Sequence, residues 1–95
     1  MSTWDWIKIF NSETRREILN ILSKKDMSAT SLYNNMQSSK IKYRQTIYKE
    51  LQFLVDVGAL EKYYDNDSKQ LMYKLIVSKI VIDLKNMNID VIKHE

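Results

Sequence analysis

The sequence has no cysteine, no proline, one glycine and one histidine in 95 residues. Without cysteine there is no disulfide, no thiolate metal site and no cysteine nucleophile. A lone histidine, His94, leaves nothing with which to build a His-based zinc site or a Ser-His-Asp triad. Gly58, standing alone, excludes a glycine-rich phosphate loop. Long apolar runs are missing too. The longest, Leu75–Val77 and Ile80–Ile82, fall far short of the roughly 20 residues of a membrane span. Met1–Phe10 lacks the basic start and apolar stretch of a signal peptide, so the expected location is the cytoplasm. These absences predict no metal, no cofactor, no membrane partner and no catalysis; the carboxylates are scattered along the chain.

What is present suits one small domain spanning 1–95. The chain is 44% hydrophobic and 28% charged, enough for one modest core, and carries a net charge of +3. That mild basicity permits a nucleic-acid partner, so the position of the charge matters more than its sum.

Ser2 or Thr3 can cap a short helix bearing Trp4, Ile7 and Phe10 at helical spacing. Asn11 or Ser12 caps a second helix, with Glu13 in its first turn and Ile18, Leu19, Ile21 and Leu22 on its buried side. Ser28 caps a third, whose inward residues are Leu32, Tyr33 and Met36. After a polar turn over Gln37–Lys42, a longer helix runs from about Tyr43 to Val57. At 100° per residue, Tyr43, Ile47, Leu51 and Leu54 fall within about 80° of one another, and Phe53 and Val57 make a second ridge. A helix with two apolar sides belongs in the middle of the domain. Gly58 sits just past its end, where a left-handed residue closes a helix.

Leu60–Tyr64 and Gln70–Ile76 read as strands around an Asp65–Lys69 turn. The tail has two readings. Ser78 can cap a helix with Ile80, Leu84, Met87 and Val91 on one face, while Ile76, Ser78, Ile80, Ile82 and Leu84 alternate as a strand would. Length favours the helix. The expected fold is therefore α+β and mostly α: a winged helix-turn-helix with a two-stranded wing and flanking N- and C-terminal helices.

Three segments carry a family resemblance. Ser12-Glu-Thr-Arg-Arg-Glu-Ile-Leu-Asn-Ile-Leu22 resembles the opening helix of ArsR-like prokaryotic winged-helix regulators. Ile47-Tyr-Lys-Glu-Leu-Gln-Phe-Leu-Val-Asp-Val-Gly-Ala-Leu60 resembles a recognition helix running into its glycine stop and first wing strand, and Leu71-Met-Tyr-Lys-Leu75 the returning strand. Similar patterns occur in MarR-like and PadR-like regulators and in small archaeal or viral transcription factors. The likeness covers roughly residues 10–76, with a core at 11–76. Two departures stand out: the stretch between Met36 and Ile47 is a few residues longer than in ArsR-like proteins, and the Cys and His ligands of metal sensors are missing. Metal sensing is not carried over. The resemblance implies sequence-specific binding of double-stranded DNA by a transcription regulator acting as a homodimer, in the cytoplasm or, for a viral protein, the host cytoplasm.

On that reading Lys42, Gln45, Lys49 and Gln52 share the face opposite the core stripe, flanked by Arg44, Thr46 and Tyr48. Ser38–Gln52 holds four cations (Lys40, Lys42, Arg44, Lys49) and one anion (Glu50), an excess equal to that of the whole chain. Gln can pair bidentately with adenine and Arg with guanine, while Lys and Tyr more often reach phosphates. Ser28, Thr30 and Ser31 begin the preceding helix, whose free N–H groups can hold a phosphate. Asn66 and Lys69 at the wing tip and Lys62 on its strand are further DNA candidates, against which Asp65 and Asp67 argue. Arg15 and Arg16 can touch phosphate or pair with nearby acids, and His94 reads as a frayed terminal residue. The extensions at 1–10 and 77–95 supply the expected dimer interface: Trp4, Ile7, Phe10, Ile80, Leu84, Met87 and Val91. The alternative is a winged-helix protein–protein module within a transcription or replication assembly, which requires an apolar or acidic recognition surface.

Overall fold

A computed structural model describes residues 4–36 and 44–94. Ser2, Thr3, Lys40, Lys42, Tyr43 and the turn expected over Gln37–Lys42 lie outside the described residues. Within them the fold is α+β, with four helices and two small antiparallel sheets. The order is α1 (Asp5–Phe10), α2 (Glu13–Leu22), β1 (Met27–Ser28), α3 (Ala29–Asn35), α4 (Arg44–Val57), β2 (Leu60–Asp65), β3 (Gln70–Leu75), β4 (Val77–Asp83) and β5 (Asn88–Lys93).

Two serines set the starts of α2 and α3. Ser12 is extended, and its Oγ accepts the Arg15 N–H at 3.2 Å. Ser28 is likewise extended and accepts the Ser31 N–H at 3.2 Å. Each such cap satisfies an orphan donor and contributes about 1 kcal/mol.

Helix α4 is the centre of the domain. It packs against α1, α2, α3 and β2, with Ile47, Leu51, Leu54 and Val57 buried. This is why its sequence carries two apolar ridges. Its end is a Schellman motif: Gly58 N–H donates to Val55 O at 3.0 Å and Ala59 N–H to Leu54 O at 2.9 Å. Gly58 holds φ +94°, and a Cβ there would meet only Trp6 Cζ2, at an ordinary 3.7 Å. Gly58→Ala is therefore expected to cost about 1–2 kcal/mol through backbone strain and not through a clash, measurable as a lower urea midpoint with an unchanged slope.

The first sheet has the order β1-β3-β2. In the β2–β3 hairpin Leu60 faces Leu75, Lys62 faces Tyr73 and Tyr64 faces Leu71. The two-residue strand β1, absent from the expected two-stranded ribbon, pairs Met27 with Tyr73 and ties the hairpin base to the helices. The turn closes without glycine. The Asp65 carboxylate accepts the Ser68 hydroxyl at 2.8 Å and the Asp67 N–H at 3.2 Å, while Lys69 takes φ +59°. Those bonds, Ser68 first, hold the Asp65 carboxyl below its ordinary range, so the turn gains from ionisation and loosens as pH falls, not as it rises.

The tail corrects the expected C-terminal helix. Residues 77–93 form the β4–β5 hairpin, with Ile80 opposite Val91 and Ile82 opposite Ile89. Val77, Ile80, Val81, Ile82, Ile89, Val91 and Ile92 are β-branched, stiff at χ1 and better suited to a pleated surface than to a helix. The turn is nucleated by Asp83, whose carboxylate accepts the Asn86 N–H at 3.2 Å and its Nδ2 at 2.9 Å. The four residues expected on one helical face therefore separate. Ile80 and Val91 pack half-buried against the core, whereas Leu84 and Met87 stand at the turn, 76% and 62% exposed.

Helix α1 also turns differently from the expected stripe. Trp6 and Ile9 are buried; Trp4 and Phe10 are exposed and Ile7 is half-buried. His94 is not frayed: its N–H donates to Ile76 O at 3.2 Å, and its Nε2 lies 2.6 Å from Leu75 O.

Candidate nucleic-acid interface

Burying Ile47, Leu51 and Leu54 forces the rest of α4 outward. Arg44, Gln45, Thr46, Tyr48, Lys49 and Gln52 are all exposed. The Arg44 guanidinium lies 5.5 Å from the Tyr33 ring centroid, which joins the start of α4 to α3. At the other end Gln52 bridges two elements: its Oε1 accepts Lys62 Nζ at 3.4 Å, and its Nε2 donates to Asp56 Oδ1 at 2.7 Å. The Lys62 face of the β2–β3 hairpin is thus brought alongside the outer face of α4. Asn66, between Asp65 and Asp67, and Lys69, two residues beyond Asp67, are exposed at the hairpin tip.

The acid of this segment is turned away. Arg15 Nε donates to Glu50 Oε2 at 2.6 Å, its guanidinium sits 3.9 Å from the Phe53 ring centroid, and its Nη1 donates to Lys8 O at 2.9 Å. Arg16 Nη1 donates to Phe10 O. Both arginines thereby serve carbonyls at the end of α1, where cations are favoured. Arg15 does pair with an acid, but with Glu50 on α4, 35 positions away, and not with a nearby acid on its own helix as expected.

Other candidates are placed unevenly. Ser28 is buried, and its hydroxyl is committed to the cap, donating to Ser31 Oγ at 3.2 Å while accepting the Ser31 N–H. Thr30 is exposed and Ser31 half-buried. A cleft of about 260 Å³ opens between α3, α4 and β3, lined by Ala29, Thr30, Tyr48, Gln70, Leu71 and Tyr73. Burial, then the neighbouring Tyr48, pushes the Tyr73 phenol up from its usual range.

Sequence reasoning missed the exposure of Tyr64 and Leu71, which face each other across the hairpin. The available signal was the strand pairing, which puts both on the Lys62 face. A second cleft, about 360 Å³ and mainly apolar, lies where α1 meets β4, with Trp6, Ile9, Phe10, Leu19, Val77 and Ile80 among its walls.

Among the described residues no group of three His, Asp or Glu side chains is placed to hold a metal ion, and no helix is long and apolar enough to cross a membrane. Comparison of the chain with protein families, curated proteins and solved structures found no match. The functional reading therefore rests on the geometry of this surface.

Proposed function

We propose that the protein is a winged helix-turn-helix that binds double-stranded DNA as a homodimer and regulates transcription. The carrying observation is the outer face of α4: an exposed row of Arg44, Gln45, Tyr48, Lys49 and Gln52 opposite the buried stripe, with the β2–β3 hairpin held beside it through Lys62 and Gln52. In this reading α4 enters the major groove, Gln45 and Arg44 meet base edges, and Lys49, Tyr48 and Thr30 meet phosphates. The hairpin is the wing and lies near the minor groove.

Dimerisation is supported by the apolar surface around α1 and the β4–β5 hairpin. Trp4 and Phe10 are exposed on α1, and Val81, Ile82, Leu84, Met87 and Ile92 on the two faces and the turn of the hairpin. Two copies joined at this surface would present two α4 helices to successive major grooves, about 34 Å apart.

Fluorescence anisotropy with labelled duplexes between about 50 and 300 mM salt tests the reading. A dimer making three to four phosphate contacts per subunit gives log K falling with log salt at a slope of about −5 to −7. Lys49→Ala removes one contact per subunit and makes the slope shallower by about 2. Absence of duplex binding at about 50 mM salt overturns DNA binding. A monomer at micromolar concentration in sedimentation overturns the dimer.

A further inference from the structure

The β4–β5 hairpin has two outer edges, and among the described residues neither pairs with a further strand. In an antiparallel pair every second residue turns its N–H and C=O away from its neighbour, so each edge carries a row of unpaired backbone groups. Proteins commonly blunt such an edge with a charge or a proline in mid-strand. β5 carries Asp90 in that position. β4 does not: Ile80-Val81-Ile82 runs unbroken through its middle, and its irregularity falls at the start, between Val77 and Lys79. Val81 and Ile82 lie on opposite faces of the hairpin, yet both are 44% exposed. A partner laid on one face covers only one of them; a partner added at the edge lies beside both.

The charges bounding this run have opposite signs, Lys79 before it and Asp83 after it. The Asp83 bonds to Asn86 hold its carboxyl below the ordinary range, so it keeps its charge. A two-fold axis normal to a sheet pairs a strand antiparallel with its own copy and keeps every side chain on its own face. With Val81 of β4 on that axis, Ile80 meets the partner's Ile82, and Lys79 meets the partner's Asp83, each contact occurring twice. The same operation on β5 cannot set Asp90 against Lys93, because those side chains lie on opposite faces. We infer that two copies join edge to edge through β4, in the register centred on Val81, forming one four-stranded sheet. The inference rests on the homodimer proposed above and specifies how its subunits meet. Phe10 lines the cleft that also includes Lys79 and Ile80, so the exposed end of α1 borders the start of the same strand.

Four positions along one strand separate Lys79 from Asp83 by about 13 Å, beyond the screening length of about 10 Å at 0.1 M salt. Within one subunit they scarcely interact, so coupling between them reports the second copy. Sedimentation at about 0.1 M salt measures it as the dimer dissociation constant. Lys79→Glu sets like charges together at two places and is expected to raise the constant about tenfold. Asp83→Asn keeps an acceptor for the Asn86 N–H and by itself should raise it about twofold to fivefold. In the Lys79→Glu background the same Asp83→Asn change should instead lower it, because a repulsion is removed. Hydrogen exchange on the wild-type protein supplies a second measurement. The β4 amides not bonded to β5 should exchange about tenfold more slowly, or slower still, above the dissociation constant than below it.

Circular dichroism melting checks that each variant is folded; where one melts early, exchange on the wild-type protein decides. A dimer in which the two substitutions act additively, with β4 exchange independent of concentration, overturns the edge pairing and leaves a homodimer joined elsewhere. A wild-type chain that stays monomeric at micromolar concentration overturns this inference together with the homodimer on which it rests.

Discussion

Leu51→Ala is expected to lower the unfolding free energy by about 2–5 kcal/mol, the largest stability effect of any prediction made for this chain. Leu51 is fully buried on α4, the helix that touches α1, α2, α3 and β2. Truncation removes the transfer free energy of the lost methylenes and leaves a cavity that four neighbouring elements are too constrained to fill. A domain of this length has roughly 5–10 kcal/mol of total stability, so the variant should be substantially unfolded well below the wild-type melting temperature. Equilibrium urea unfolding followed by circular dichroism measures the loss. Tyr48→Ala, one turn away on the exposed side, provides the contrast and should change stability by less than about 1 kcal/mol. A Leu51→Ala loss below that level would mean that α4 does not occupy the centre of the core.

Arg15→Ala should cost about 1–3 kcal/mol, more than an ordinary surface ion pair. Both side chains of the Arg15–Glu50 pair are about one-fifth exposed, between the solvent-exposed regime worth up to about 1 kcal/mol and the buried one worth several. Truncation removes three interactions together: the bond to Glu50, the stack on Phe53 and the bond to Lys8 O. It also leaves the Glu50 carboxylate without its cation on the helix proposed to read DNA. Glu50→Gln keeps an acceptor facing Arg15 and should cost less. The double variant Arg15→Ala/Glu50→Gln should then be more stable than the sum of the singles implies, with a coupling of about 1 kcal/mol. Additive single losses would show that the pair is incidental and that the contact with α1 carries the effect.

The elements most legible in the sequence are those whose signals are local. Ser12 and Ser28 each precede an apolar helical pattern with a side chain suited to an N-cap, and both caps form. Gly58 ends α4 because glycine takes the positive φ of the helix stop without a Cβ penalty, and the strands on either side of Asp65–Lys69 follow from their β-rich composition. The outer face of α4 was legible as well. Once Ile47, Leu51 and Leu54 are assigned to the core, the helical repeat places Gln45, Lys49 and Gln52 outside.

Other features were chosen by partners distant in the chain. In α1 the stripe read from the sequence is Trp4–Ile7–Phe10, while a second, Trp6–Ile9, has the same spacing and emerges only from the structure. Packing against α2 and α4 selects the second. Strand β1 is two residues long and exists only because β3 lies beside it. Over 77–93 a helical spacing and a strand alternation coexist in the same residues. Their β-branched composition and the Asp83–Asn86 turn allow the hairpin; pairing between β4 and β5, with Val77, Ile80 and Val91 against the core, decides it. The inward turn of Glu50 depends on Arg15, 35 positions earlier. By itself the sequence determined the caps of α2 and α3, the glycine stop, the central helix and its polar face, because each follows from the repeat of a helix or the conformational limits of one residue. The cap expected of Ser2 or Thr3 is not seen, since Trp4 precedes α1 with no side-chain cap bond. The rotation of α1, the hairpin in place of a final helix and the neutralised acid of α4 were decided only by tertiary structure, because each compares local options that differ little until another segment packs against one of them.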